Sequence, residues 1–130
     1  MATAPWTITN RSAAGSAATA SQAAPAGAGT TKTNTIVRLR SLFATLQGVA
    51  AGTDQLVVRD GASGTGTIIW QGDLIVAVNG GAIVQMSDLD LRASLGNALT
   101  VEFVNGVSSN RECVSAAGDF IPVGHPMYSV

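Results

Sequence analysis

The sequence predicts an all-β fold, an antiparallel β-sandwich of the jelly-roll type. Seven or eight segments either alternate apolar and polar residues or are rich in Thr, Val and Ile. Clusters of Gly, Asn and Asp separate these segments at intervals of about 10–15 residues, as turns do in sandwiches. No convincing helical period lies between them, and a chain with one cysteine lacks the Cys…Trp…Cys arrangement of immunoglobulin domains. The number of segments and the long strand early in the chain therefore favour a jelly roll.

Residues 55–78, QLVVRDGASGTGTIIWQGDLIVAV, predict two strands joined by a glycine-rich turn, over residues 56–59 and 67–78. Alternate residues of a strand share a face. We therefore expect the even positions of the second strand to face the core, with Trp70 as its anchor. Gly72 is expected to mark a bulge or the close approach of another strand.

Two further segments precede this stretch. Residues 16–23 predict a weak strand followed by a turn, with a disordered linker as the alternative. Residues 30–46 predict a long strand whose apolar phase shifts between Leu39 and Leu42, which indicates a bulge or bend. A helix over residues 38–47 is the alternative, because apolar residues there also recur at helical spacing. The threonine-rich flank favours the strand.

Three more strands are predicted in the second half of the chain. An Asn-Gly-Gly turn precedes a strand over residues 82–86. Residues 87–97 form a longer connection with room for a short helical turn capped by its first serine. Regular alternation over residues 99–103 predicts a half-buried strand. An Asn-Gly turn then leads to the last strand, over residues 111–117.

We expect one domain with an extended arm at each end. The sandwich is predicted to span residues 12–118, the N-terminal arm residues 1–11 and the C-terminal arm residues 119–130. Pro122 and Pro126 exclude a central strand in the second arm, and a frayed terminus is the alternative for the first. The apolar residues of the two arms are candidate anchors on a partner: Trp6, Ile8, Phe120, Ile121, Met127 and Tyr128.

Composition excludes several classes of partner. Charged residues make up 12% of the chain and the net charge is −1. The arginines are scattered and there is one lysine, so no nucleic-acid partner is expected. No apolar run approaches the ~18 residues of a membrane helix, and the first residues lack the features of a secretory signal. Arg38 and Arg40 share one strand face, either as a solvent-facing edge with paired acids or as a basic stripe that meets an acidic partner.

No residue pattern points to catalysis, a metal or a cofactor. His125 is the single histidine and lacks the partners of a metal site or triad, so we interpret it as a solvated or interface residue. Cys113 is interpreted as a small core residue. Asp88 and Asp90 lack the other ligands of a calcium loop. The glycine-rich stretches lack the spacing of nucleotide-binding loops, so we interpret them as turns. A non-enzymatic protein is therefore expected.

Two successive segments, LVVRDGASGTGTIIWQGDLIV and NGGAIVQMSDLDLRASLGNALTVEF, carry a family resemblance. Their recurring pieces are Arg59-Asp60-Gly61, a glycine-rich turn, Gly66–Trp70 and the late strand Leu99–Phe103. This pattern, over residues 16–118, resembles the capsid decoration or cement proteins of tailed bacteriophages, which have a jelly-roll fold.

The resemblance implies a structural role in the virion. Proteins of that family lie on the outer surface of the capsid, bridge major capsid protein subunits and stabilise the head. For this chain it implies synthesis in the host cytoplasm, a major capsid protein as partner and no catalytic residue. The strand-rich, weakly charged body also suits self-association by edge pairing, so a homo-oligomer, dimer or trimer, is expected.

Two other functions remain open from the sequence. A carbohydrate- or receptor-binding module of a phage tail uses the same fold, and it would need exposed aromatic residues in a shallow patch. The chain has two Trp, one Tyr and three Phe from which to build one. An enzyme with a cupin-type metal site would need several histidines, and the chain has one.

Overall fold

The computed structural model describes residues 4–25 and 35–122, and within those residues the chain forms nine β-strands and no helix. The all-β prediction is therefore confirmed. The strands are β1 (Ala4–Arg11), β2 (Thr19–Gln22), β3 (Thr35–Gly48), β4 (Gly52–Asp60), β5 (Thr67–Val76), β6 (Gly80–Met86), β7 (Leu91–Arg92), β8 (Leu99–Phe103) and β9 (Asn110–Pro122).

The strands form two antiparallel sheets that enclose one hydrophobic core. Sheet A has the order β1-β9-β3-β6, with β7 also paired to β3, and sheet B has the order β2-β8-β4-β5. The pairings are nested, because β1 pairs with β9, β2 with β8, β3 with β6 and β4 with β5. An antiparallel ribbon with its tip at the β4–β5 turn is thus rolled into a sandwich. This is the predicted jelly-roll topology, which the pairing confirms.

The bulge predicted in the long strand is present in β3. Its pairing with β9 shifts between Leu39 and Ser41, so Arg40 is the extra residue. Val37 and Leu39 face the core before the bulge, and Leu42 does so after it. β3 pairs with β9 on one side and with β6 and β7 on the other. This pairing on both sides stabilises the strand over the alternative helix.

The core is mostly aliphatic. Phe103 of β8 is its largest fully buried side chain, and burial of one such side chain contributes roughly 1.5–3 kcal/mol. Trp70, the predicted anchor, is only half-buried and packs at the margin of the core. A Cβ added to Gly72 would lie 3.0 Å from Cη2 of Trp70, so this glycine makes room for the indole ring. The other large fully buried apolar side chains are those of Leu39, Leu42, Leu46, Leu56, Leu99 and Ile121.

The even positions of β5 face the core only near the end of the strand. Leu74 and Val76 are buried, whereas Ile68 is exposed, as is Val78 just beyond the strand. The register of β4 and β5 shifts close to the turn that joins them, so the irregularity lies before Gly72 and not at it. Such a shift changes which residues face the core on its two sides.

The predicted arms belong in part to the sandwich, which corrects the boundaries at residues 12 and 118. β1 pairs with β9 along its whole length, from Ala4 opposite Phe120 to Arg11 opposite Cys113. β9 continues to Pro122 and lies between β1 and β3, so it is an interior strand. Proline is tolerated there because it is the final residue of the strand. Residues 1–3 and 123–130, with Met127, Tyr128 and His125, lie outside the described residues.

The connection over residues 87–97 contains β7 and not the suggested helical turn. The backbone N–H groups of Leu89 and Ala93 donate to the carbonyl oxygens of Arg40 and Val37 at 2.9 and 3.0 Å. The segment therefore extends sheet A along the part of β3 that β6 does not reach.

The antiparallel order sorts the connections between the two ends of the sandwich. One end, here called the loop end, consists of residues 12–18, 49–51, 77–79 and 104–109. The opposite end carries the β4–β5 turn and the connection that contains β7, together with the start of β1 and the end of β9.

Candidate interaction surface

The apolar residues predicted as anchors pack within the chain wherever the structure describes them. Trp6 is 6% exposed, and its Nε1 donates to the carbonyl oxygen of Asp119 at 3.1 Å. Its ring lies beside that of Phe120, with centroids 6.5 Å apart. Ile121 is fully buried, and Ile8 and Phe120 are half-buried against the core. These residues attach β1 and the end of β9 to the sandwich, and their contact with a partner stays a prediction.

Of the two arginines predicted to meet an acidic partner, Arg38 is paired within the chain, and the role of Arg40 stays a prediction. Arg38 is buried, and its Nε and Nη2 donate to the two carboxylate oxygens of Asp119 at 2.7 and 2.6 Å. The hydrogen bond with Asp119 raises the pKa of Arg38 despite the opposing effect of burial. Arg40 is the half-buried residue of the bulge. β3 is an interior strand, and Asp119, the acidic partner of Arg38, lies on the neighbouring strand β9.

The polar face of β8 is buried too, although its alternation predicts a half-buried strand. The β4–β5 turn covers this face. Glu102 accepts hydrogen bonds from Nε of Arg59 at 2.6 Å, from the N–H of Gly64 at 2.9 Å and from the hydroxyl of Ser63. Burial alone would raise the pKa of Glu102, but these hydrogen bonds outweigh it and hold the pKa below its ordinary value. The glycine-rich stretch is thus a turn, as predicted, with φ of 121° at Gly61 and 76° at Gly64.

Two acidic side chains from opposite sheets meet inside the sandwich, near the loop end. Asp54 of β4 is 2% exposed and Glu112 of β9 is fully buried. Oδ1 of Asp54 accepts from the N–H groups of Gln55 and Asn105 at 2.8 and 2.9 Å. Oε1 of Glu112 accepts from the N–H of Ala18 at 3.3 Å. The second oxygen of each carboxyl group has no other hydrogen-bond partner among the described residues.

A proton on Glu112 accounts for these two oxygens. Burial, followed by the hydrogen bond with Asp54 and by its negative charge, raises the pKa of Glu112 to about 9. At neutral pH Glu112 is therefore protonated and donates to Asp54. The resulting bond joins sheet A to sheet B next to the loop end.

Hydrogen bonds tie the connections of the loop end to one another. The buried side chain of Asn110 clamps Ala50, since its Oδ1 accepts from the N–H at 3.0 Å and its Nδ2 donates to the carbonyl at 2.8 Å. The N–H of Asn79 donates to the carbonyl of Val49 at 3.2 Å, and that of Gly15 donates to the carbonyl of Asn110 at 2.8 Å. These bonds, with those to Asp54 and Glu112, make the loop end one connected surface.

The loop end is uncharged and largely exposed. None of its four connections contains Asp, Glu, Lys, Arg or His. Val49 and Val78 are 62% and 66% exposed and lie on the two connections that the Asn79–Val49 bond joins. Beside them is a depression of about 410 Å³, whose polar margin includes Arg111. Its lining residues are Gln47, Gly48, Val49, Asn79, Gly80, Ser109 and Arg111.

Other sites suggested by the sequence remain single residues. Within residues 4–25 and 35–122, no group of three or more His, Cys, Asp or Glu is placed to hold a metal ion. Cys113 is half-buried on the face of β9 opposite the buried Val114, which corrects its interpretation as a core residue. The described part of the chain also contains no helix long and apolar enough to cross a membrane.

The sequence did contain a signal for the buried acids. Asp54 has the same parity as Leu56 and Val58 in β4, and Glu112 has the same parity as Val114 in β9. Each acid therefore lies in the apolar phase of its strand, where an unpaired charge is costly. That position indicates a buried partner, but only the fold identifies it.

No protein-family model and no curated protein matches this sequence. Several solved structures align with parts of this chain. The top component of Cowpea mosaic virus, a naturally occurring empty particle, is 10% identical with a TM-score of 0.46, over 95% of this chain and 87% of that chain. The SPBc2 prophage-derived protein YomS is 12% identical with a TM-score of 0.39, over 91% and 96%.

A carbohydrate-binding module described as CBM4 is 6% identical with a TM-score of 0.44, over 77% of this chain. This chain spans 60% of the length of that protein. At these identities and TM-scores the likenesses say nothing about the function of this chain.

Proposed function

We propose that this chain is a non-enzymatic structural protein of a virion, a capsid decoration or cement protein of a bacteriophage. In this role it binds the outer surface of the head, bridges neighbouring major capsid protein subunits and stabilises the shell. The sequence resemblance over residues 16–118 supports this proposal.

One observation carries the proposal. The jelly roll presents strongly exposed aliphatic side chains. Exposed aliphatic side chains contribute nothing to the stability of the isolated chain. Clustered exposed apolar surface marks protein contacts, and Val49 and Val78 lie on connected loops. The most exposed large aliphatic side chains of the described residues are Val49, Ile75, Val78 and Ile83.

Association of the chain with itself is part of the proposal. β1 and β6 are the edge strands of sheet A, and β2 and β5 those of sheet B. Edge strands have unpaired backbone groups that can pair with a second copy. A dimer or trimer built in this way would offer several copies of the contact surface to the shell, which raises the avidity of binding.

Co-sedimentation tests the proposal. Purified protein is mixed with heads of the encoding phage that were assembled without it, and light scattering of the protein alone gives its oligomeric state. Saturable binding at a fixed ratio to the major capsid protein is expected. A folded protein that does not bind heads would overturn the proposal. Glycan screening would then test the alternative, a tail-associated carbohydrate- or receptor-binding module.

A further inference from the structure

We infer that the loop end is the surface by which this protein docks, and that its partner is a protein surface on which carboxylates flank apolar side chains. This inference deepens the proposed function and rests on it, because it names the docking surface and the chemistry of the partner.

The composition of the loop end is unusual for connecting segments. Loops are normally polar and solvated, yet these four connections contain no charged residue. Their sequences are SAAGSAA, VAA, AVN and VNGVSS. The described residues of the opposite end, in contrast, include the Arg38–Asp119 and Arg92–Asp90 ion pairs. The two ends of the sandwich thus differ sharply in their content of charged residues.

The loop end is also preorganised. Asn110, Asp54 and Glu112 are buried side chains that each bond a backbone group in one of its connections. A Cβ added to Gly106 would lie 2.0 Å from the carbonyl oxygen of Gly15, so two of the connections touch backbone to backbone. A surface that is already ordered loses less conformational entropy on binding than flexible loops do.

Charge complementarity identifies the occupant. Arg111 lines the depression at the loop end, and Arg11 and Arg111 both line a second depression of about 270 Å³ beside it. Both arginines are exposed. The acid among the residues that line these depressions is Glu112, whose side chain is buried and protonated. A partner that presents a carboxylate therefore meets two cations and no exposed acid of these linings.

The same arrangement argues against a second copy as the occupant. A two-fold contact places identical patches against each other. At the loop end it would bring Arg11 and Arg111 towards their own counterparts, with no exposed acid in the two linings to separate them. Self-association is thus better served by the edge strands.

Two substitutions test the inference in the head-binding assay. Val78→Asp places a carboxylate on the apolar part of the loop end, and Arg111→Glu reverses the charge at its margin. Each is expected to weaken binding to heads at least about tenfold, as loss of a central apolar or arginine contact does. Arg111→Lys keeps the charge and is expected to bind within a few-fold of the native protein. Leu95→Asp, at an exposed site of the opposite end, is the matched control with unchanged binding. Far-ultraviolet circular dichroism and denaturation confirm that each variant is folded.

The outcomes separate the inference from the proposed function. Native protein that binds heads, together with folded Val78→Asp and Arg111→Glu variants that bind equally well, would overturn the docking surface and leave the function intact. Native protein that does not bind heads would overturn the function. In that case, NMR titration of the isotope-labelled chain with a soluble peptide of Glu and Leu tests whether the loop end is a docking surface. Shifts confined to the loop end and lost in Arg111→Glu would support it, and no shifts there would reject it.

Discussion

Glu112 of β9 and Asp54 of β4 face each other between the two sheets of the jelly roll, and a hydrogen bond with Asp54 helps to raise the pKa of Glu112. Neither side chain is exposed to more than a trace of solvent. The pair also receives backbone N–H groups from both sides, at Ala18 and Asn105. Protonation of one residue is therefore linked to the stability of the sandwich.

The first prediction concerns pH. The folded protein holds the proton on Glu112 up to a pH of about 9, whereas an ordinary glutamate releases it near 4.5. The folded state thus binds more protons than the unfolded state between these values, so the free energy of unfolding falls as pH rises through that range. Denaturation in urea at a series of pH values between 5 and 9 measures the slope.

Glu112→Gln is the matched control for this slope. Glutamine can still donate to Asp54 and accept from Ala18, but it does not titrate. The variant should therefore lose most of the decline in stability between pH 5 and 9. Equal slopes in the native protein and the variant would show that Glu112 is not the titrating group. Below this range, Glu102 and Asp60 have lowered pKa values, so their contribution is lost as pH falls.

The second prediction compares a buried ion pair with an exposed one. Glu102→Ala leaves Arg59 without its carboxylate in a largely buried position, which is expected to destabilise the fold by about 3–5 kcal/mol. Asp90→Ala removes the exposed Arg92–Asp90 pair and is expected to cost about 0–1 kcal/mol. Chemical denaturation of the two variants measures the difference. Similar losses would indicate that the β4–β5 turn is not held on Glu102.

The third prediction concerns the contact between β1 and β9. A Cβ on Gly118 would overlap the carbonyl oxygen of Arg38 and lie 2.7 Å from Cζ2 of Trp6. Gly118→Ala is therefore expected to lower stability by about 1–3 kcal/mol or more, and to shift the fluorescence of Trp6 towards that of exposed tryptophan. Gly81→Ala is the control, because its Cβ meets no atom closer than 3.6 Å. A variant at residue 118 as stable as the control would contradict the packing described for Trp6.

The fourth prediction concerns the order of the loop end. Asn110→Ala removes both hydrogen bonds to Ala50 and leaves the N–H and carbonyl of Ala50 without these partners. The free energy of unfolding is expected to fall by about 1–3 kcal/mol. The loss should be local, so amide hydrogen exchange at Ala50 should accelerate more than exchange in β8. Uniform acceleration throughout the chain would instead indicate that Asn110 stabilises the whole fold and not the connection.

The sequence predicts the jelly roll and the bulge of β3, because both follow from local patterns. The apolar phase of β3 changes between Leu39 and Leu42. An extra residue between them is required if both side chains are to face the core. The number of strands and the spacing of turns favour a jelly roll over other sandwiches. These features depend on neighbouring residues, which the sequence shows directly.

The remaining features depend on residues far apart in the chain. From the sequence, Trp6 is predicted to be an anchor on a partner. Its burial depends on the pairing of β1 with β9, more than 100 residues later in the chain. From the sequence, Glu102 is predicted to lie on the solvent face of a half-buried strand. It is buried because the β4–β5 turn covers that face. The charge-free connections of the loop end are visible in the sequence, but only the antiparallel order brings them to one end.

The nested pairing also fixes where the chain enters and leaves the sandwich. Ala4 and Phe120 are register partners at the end opposite the loop end. β1 therefore begins, and β9 ends, on the side of the sandwich away from Val49 and Val78. The fold thus holds the start of its first strand and the end of its last strand apart from the surface that we infer to dock.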